Sequence, residues 1–360
     1  MSKYVGLLTA AGLACLPMMS SAAAPTLTEV LGASGVTLDG YISGSYVYGF
    51  NDGQALGART FDGVTDSFTL NQAAFNLSKL PAQGAGAFVN VIAGDDASII
   101  NGAYGDGDDK INVTQAYFQY ATGGLTVIGG RFVTLAGAEV INDTANANVS
   151  RGFLFSLLQP LVHTGVRASY KMGGATLYAG VANAAFSPGA LGADVDPQKT
   201  VELGVAFAPS STSSLAAVVY HGSDAVLAAD VTLLDVVASL QATSALQLVL
   251  NVDYLNIEPD APGADTVNPW GVAGYANFKM SDKNRASLRL EHADNDLAGA
   301  AGNEVQSVTL TLGHMVASNL EVLGEVRWDN SDDDIYPDTG ATGGVEDSQG
   351  NVAVKAIYKF

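Results

Sequence analysis

Few side chains in this 360-residue chain could do chemistry, and their spacing argues against covalent catalysis. His163, His221, His292 and His314 stand apart without metal-ligand spacing, and no G-x-S-x-G nucleophile elbow occurs. His221, His292 and His314 also fall on the apolar phase of their segments or at segment ends. The run Asp106-Gly-Asp-Asp109 has the carboxylate density of a calcium loop but lacks its terminal glutamate. No catalytic residue, metal ligand or cofactor is therefore predicted.

The chemistry that remains is electrostatic. Arg131 precedes a long segment, 136–160, that contains Glu139 and Arg151, and His163 and Arg167 follow it. His163, Arg167 and Lys171 share one strand phase, opposite Val162, Thr164, Val166 and Tyr170. A second group, Lys279, Arg285, Arg289, Glu291, Glu321, Glu325, Arg327 and Lys355, occupies the polar phase of later segments. Such groups could line the wall of a water-filled passage. Equally, they could be ion pairs that anchor the long segment, with Glu139 bonded to an arginine. Both readings fit the spacing.

Strands must position these groups. The last ten residues, Asn351 to Phe360, place Val352, Val354, Ala356, Tyr358 and Phe360 on one face, and Asn351, Lys355 and Lys359 on the other. Two-faced segments of this kind are expected near 36–50, 66–79, 86–95, 110–122, 124–135, 161–172, 174–185 and 199–208. They continue near 214–222, 230–242, 245–257, 269–280, 284–294, 304–316, 319–329 and 350–360, which makes 16 strands. Phe68 and Leu70 are out of phase with Phe75 and Leu77, as is Val113 with Phe118, so either bulges or strand bounds shifted by a residue are expected there. Connections alternate between short turns, such as Gly123 and Thr243-Ser244, and long Gly/Asp/Asn-rich loops. The pattern predicts an all-β fold: a transmembrane antiparallel β-barrel with short turns at one end and long loops at the other. Aromatic belts would draw on Tyr48, Phe50, Tyr120, Tyr254, Trp270, Trp328 and Phe360.

Composition narrows the class further. With 41 Gly, 14% charged residues and a formal net charge of -20, the chain is too poor in basic residues to bind nucleic acid. Carboxylates gather in the long loops, at Asp95-Asp96, Asp194 with Asp196, Asp294 with Asp296, and Asp332 to Asp334, and would concentrate cations at that mouth. Residues 1–23 carry Lys3, an apolar run and small residues at Ser21 and Ala23, the pattern of a cleaved secretory signal peptide. Cys15, the only cysteine, lies within it, so the mature chain has no thiol chemistry. Residues 24–35 form a short periplasmic or plug-like segment with a T-x-x-E capping pattern at Thr26, and 36–360 form the barrel.

Several motifs carry a resemblance. They are Gln115-Ala-Tyr117, Gly130-Arg-Phe132, Gly137-Ala-Glu139, Asn148-Val-Ser-Arg151, and His163-Thr-Gly-Val-Arg-Ala-Ser-Tyr170, with Gly94-Asp-Asp-Ala97 and Gly40-Tyr-Ile-Ser43. This region resembles the OmpL-like β-barrel porins, which are outer-membrane channel proteins; Asn183-Ala184 departs from an expected Asn-Gly.

The resemblance implies passive diffusion of small hydrophilic solutes or ions, with no enzymatic step. In 16-strand porins the third outward loop usually folds into the lumen. Arg131, Glu139, Arg151, His163, Arg167, Lys171, Arg285, Arg289, Glu291 and Arg327 would then form the constriction and lumen wall. Implied partners are membrane lipid and lipopolysaccharide, the barrel-assembly machinery through Phe360, and two further copies in a homotrimer. The alternatives are a non-conducting, adhesin-like surface protein acting through its acidic loops, and a secreted soluble β-protein.

Overall fold

A strand that crosses hydrocarbon must pair every backbone group, and an open edge there leaves N–H and C=O groups unsatisfied at several kcal/mol each. This chain meets that requirement by closing. The computed structural model describes residues 27–51, 55–103, 107–186, 197–224, 227–295, 303–337 and 345–360. The expected signal peptide lies outside these residues, as do Asp106, Asp194, Asp196 and Asp296 of the acidic loops.

A helix, α1 (Leu27–Ser34), leads into β1 (Thr37–Gly49), β2 (Ser67–Lys79), β3 (Gly84–Ala93), β4 (Ile111–Thr122) and β5 (Leu125–Val133). A second helix, α2 (Asp95–Ala103), lies in the loop between β3 and β4. Next come β6 (Val162–Met172), β7 (Ala175–Ala182), β8 (Thr200–Ser210), β9 (Ser213–Asp224) and β10 (Ala229–Gln241). The series continues through β11 (Leu246–Pro259), β12 (Trp270–Lys279), β13 (Asn284–Asn295), β14 (Asn303–Ala317) and β15 (Leu320–Ser331). It ends in the closing strand, Ser348–Lys359.

Every strand is antiparallel to its neighbours, and β1 pairs with the closing strand from Tyr41 opposite Lys359 to Gly49 opposite Asn351. Gly40 and Phe360 exchange backbone hydrogen bonds of 3.0 and 3.1 Å at the seam. The result is a closed barrel of 16 strands. A two-stranded hairpin of Tyr336–Pro337 with Val345–Glu346 sits in the last long loop. No helix among the described residues is long and apolar enough to cross a membrane.

Both phase breaks seen in the sequence are bulges. Asn71 is the extra residue where the β1–β2 register shifts, and Thr114 where the β3–β4 register shifts. On the outer surface Leu203, Leu250, Leu310, Val354 and Phe118 are exposed, as the lipid side requires, and Tyr48, Tyr120, Trp270 and Trp328 are exposed with them. The alternation runs cleanly through β14, where every odd residue from Asn303 to Gly313 is buried and every even one exposed.

The inside of the barrel is not filled by water alone. Phe153, Leu154 and Leu158, from the segment between β5 and β6, pack with the inward residues Tyr220, Leu233, Leu255 and Ala273. A second apolar cluster joins Phe155, Ile141 and Val149 to Tyr41, Ala353 and Leu323. Part of the lumen is a packed core.

Candidate functional site

The site is built by the connection between β5 and β6, residues 134–161, which turns inward instead of extending outward. Its sequence explains its path. Asn142 accepts the Thr144 N–H at 2.8 Å and caps a short 3-10 turn, Asp143–Ala145. Asn146 accepts from the Val140 N–H and donates to the Val140 and Asn142 carbonyls. Leu154–Leu158 then form a π-helical turn that presents leucines to the barrel wall. Gly152 allows the closest approach: a Cβ there would stand 2.0 Å from a Glu291 carboxylate oxygen.

The opposite wall holds this loop by polar side chains. Arg289 bonds Glu139 at 2.6 Å and also donates to the Ser150 carbonyl and hydroxyl. Its Nε lies 2.8 Å from Glu291, whose other oxygen accepts the Phe153 N–H at 2.8 Å. Glu325 accepts the Val149 and Ser150 N–H groups at 2.6 and 3.0 Å, and the Thr311 hydroxyl at 2.6 Å. Arg327 donates to the Arg151 carbonyl at 2.6 Å, pairs with Asp329 and stacks over Phe153. Lys355 reaches Asp143 at 3.2 Å, and Arg285 bonds Glu321 and the Ala147 carbonyl, each at 2.6 Å. Together, β13, β14, β15 and the closing strand grip the loop along its length.

Within the loop, Arg151 donates to the Val140, Ile141 and Val149 carbonyls and to Asp143. Burial alone would raise the Asp143 carboxyl, but Lys355, Arg151 and the Ser43 hydroxyl outweigh it and hold it at about 2. On α2 the balance is reversed. Burial, reinforced by the Asp143 charge, pushes Asp96 up to about 7 despite its bonds from Gln72 and Asn71.

A second cluster lies on β6 and β8. Arg167 makes a two-pronged contact with Glu202, both bonds 2.6 Å, donates to the Val133 carbonyl and stacks 4.3 Å over Phe132. His163 is buried, stacks on Tyr220 with centroids 4.6 Å apart, and faces the Ala184 carbonyl with Nδ1. The Tyr220 hydroxyl in turn accepts the Leu135 N–H, which ties the start of the inward loop to β9.

Eight of the ten sequence-predicted site residues thus fall into two clusters, Glu139, Arg151, Arg285, Arg289, Glu291 and Arg327 in one, His163 and Arg167 in the other, all buried except the half-buried Arg285. The other two lie apart from both clusters. Arg131 pairs with Ala116 and Thr164, on the residue row opposite Phe132 and His163, so its Cβ starts from the outward face. Lys171 keeps the inward phase but is exposed near the turn end of β6. The expected basic ladder along the wall is corrected as well. Arg167 is neutralised by Glu202, and Arg289, Arg327 and Arg151 are at most 1% exposed. These groups clamp the loop and do not present free charge to a passage.

Sequence reasoning did not single out Glu202, Asp143, Arg59 or the leucines of the π-turn, and it named Asp96 only as solvated loop charge. Arg59, in the first long loop, bonds Asp62 and reaches Asp329 at 2.7 Å. Glu202 was visible only as a polar-phase residue of its strand.

A closed 16-strand antiparallel barrel with its third long loop folded inside is the architecture of outer-membrane porins. The chain belongs to the family described as "Putative beta-barrel porin-2, OmpL-like", whose model matches residues 35–360. Among solved structures it is similar to outer-membrane-expressed OmpT of Vibrio cholerae, with 16% identity and a TM-score of 0.59 over 90% of this chain and 97% of that one. It is also similar to the anion-selective porin of Comamonas acidovorans, at 14% identity and a TM-score of 0.59 over 90% and 99%. The outer-membrane channel DcaP of Acinetobacter baumannii gives 13% identity and a TM-score of 0.59 over 90% and 97%. Comparison with curated protein sequences gives no match.

Proposed function

We propose that this barrel is a narrow outer-membrane channel through which small hydrophilic solutes or ions diffuse passively, with no chemical step. The observation that carries the reading is asymmetric anchoring. The inward loop is fastened to β13–β15 and the closing strand, while inward-phase residues of the facing wall, Asn90, Tyr117, Gln119, Ser169, Thr176 and Tyr178, stay partly solvent-exposed. This wall is polar and aromatic, with Lys171 exposed near its turn end, which suits small hydrophilic solutes. Export would use residues 1–23 as a cleaved leader, and Phe360 would serve as the recognition end for barrel assembly. A homotrimer is part of this reading, since OmpT of Vibrio cholerae occurs in a trimer form.

Purified protein in a planar bilayer tests it: discrete conductance steps are expected, and a persistently silent bilayer overturns it. The apolar packing of Phe153, Leu154 and Leu158 inside the barrel favours a second reading, a plugged barrel that acts at the surface through its acidic loops. Liposome swelling with sugars of graded size separates the two, because a plugged barrel admits none.

A further inference from the structure

The inward loop does not fill the barrel at its turn end. A cavity of about 600 Å³ opens there, and a smaller one of about 230 Å³ continues inward between the loop and β11–β12. The two share Ala145, Asn146, Ala147, Gln247 and Asn277 along their walls. The smaller one also reaches Glu139, Val249 and Tyr275, the last two lying one inward-facing position deeper along the strands than Gln247 and Asn277.

Tyr275 is only 7% exposed, yet its hydroxyl is not sealed in protein and makes no hydrogen bond among the described residues. A buried tyrosine normally gives its O–H a partner, so here the partner must come from the cavity. The neighbouring amides are half engaged. Ser287 donates to the Asn277 oxygen at 2.7 Å, Asn277 to the Gln247 oxygen at 3.2 Å, and Gln247 to the Ser239 hydroxyl at 3.2 Å, a chain of bonds across β13, β12, β11 and β10. Each side-chain amide carries two N–H groups. One on Asn277 and one on Gln247 therefore have no partner among the described residues.

Charge is balanced at this depth. Glu139 is the only charged residue lining the smaller cavity among the described residues, and Arg289 and the Gly152 N–H, each at 2.6 Å, engage its two oxygens. A small ion would meet no opposite charge there. Ala138, Ala145, Ala147 and Val249 add apolar surface beside the hydroxyl and amides. The occupant that fits exchanges hydrogen bonds in both directions, offers C–H surface and carries no charge. It is also small, because about 230 Å³ is below the roughly 300–1,000 Å³ of pockets for drug-sized ligands.

We propose that Tyr275, Asn277 and Gln247 form a binding site for a small uncharged polyol of the monosaccharide type, entered from the turn end of the barrel. The Tyr275 hydroxyl bonds one sugar hydroxyl, the two spare amide N–H groups donate to others, and the alanines and Val249 meet the C–H faces. Transport of such a solute rests on the channel reading; binding does not require it.

The test uses full-length protein folded in a sugar-free detergent and titrated calorimetrically with D-glucose, D-galactose and D-ribose in turn. At least one should bind saturably, and its Kd should rise about tenfold in Tyr275→Phe, as the loss of one hydrogen bond to a ligand implies. That variant loses no bond within the protein, so its Tm should match wild type. Gln247→Leu should weaken binding by about the same factor. Absence of saturable heat with all three sugars overturns the proposal, as does equal affinity in wild type and Tyr275→Phe. Displacement of the bound sugar by sodium phosphate also overturns it, since the cavity would then be an anion site. Bilayer recording of the same preparation keeps the two readings apart. Sugar binding with a silent bilayer overturns the channel and keeps the site, and conductance without sugar binding does the reverse.

Discussion

Arg289 on β13 and Glu139 in the inward loop lie 150 positions apart in the chain and meet in a buried ion pair of 2.6 Å. Arg289 also meets Glu291 two residues along its own strand, but its bond to Glu139 forms only when the loop has entered the closed barrel. Arg289→Met removes the cation and leaves Glu139 and Glu291 buried beside each other. Breaking a buried pair from one side costs about 3–5 kcal/mol. Chemical unfolding in detergent should show a loss of that size, and single-channel traces should become noisier as the loop loosens. A variant with wild-type stability would show that the clamp contributes nothing net.

Arg167 and Glu202 cancel each other on the β6–β8 wall. Removing one charge exposes the other to any permeating ion. Arg167→Gln should shift the reversal potential across a salt gradient toward cations, and Glu202→Gln toward anions. The exchange Arg167→Glu with Glu202→Arg should return both selectivity and stability toward wild type. If neither single variant moves the reversal potential, the pair lies off the conduction path.

Asp96 makes stability depend on pH in a definite direction. Burial first, and then the Asp143 charge, raises its carboxyl from 3.8 to about 7, so the folded state holds a proton that the unfolded chain releases. Its contribution is greatest below pH 4 and is lost as pH rises from about 4 to 7. Asp143, lowered from 3.8 to about 2, acts in the opposite sense, and its stabilisation disappears only as pH falls through that lower window. Tm measured from pH 4 to 8 should therefore decline in wild type and flatten in Asp96→Asn. Parallel curves would remove Asp96 as the cause.

The barrel was legible because its physics repeats at every second residue. Leu246, Leu248, Leu250 and Tyr254 alternate with Gln247, Asn251 and Asp253 wherever lipid faces one side, and the two phase breaks bracket the bulges that the register places at Asn71 and Thr114. The clamp was only half legible. Residue types showed that Arg285, Arg289, Glu291 and Arg327 face inward, but pairing across 138 to 177 positions depends on where the loop lands. Arg131 was misplaced because both rows of β5 are apolar: Leu125, Val127 and Val133 on one, Ile128 and Phe132 on the other. A strand without a polar row carries no signal for which side is inside. Packing inside the lumen was invisible for a related reason. Leu233 and Leu255 are on the inward phase, where alternation predicts water, and only the arrival of Leu154 and Leu158 makes apolar residues correct there.

That packing gives the prediction that separates the two functional readings. Phe153 is completely buried, with Arg327 stacked 4.9 Å over its ring, and Leu158 is completely buried among leucines of β10 and β11. Phe153→Ala should destabilise by about 3–5 kcal/mol and Leu158→Ala by about 2–5 kcal/mol, as buried truncations do. Their effects on conductance should differ. Leu158 packs against Gly271 of β12 and the leucines of β10 and β11, so its truncation opens a gap between the inward loop and that wall without touching the ion-pair clamp, and conductance should rise. Phe153 sits against the clamp, so its loss should weaken the fold with little change in bore. A channel requires that asymmetry between the two variants. A plugged barrel predicts silence in both until the whole turn Leu154–Leu158 is removed, and paired bilayer recordings of the three proteins decide between them.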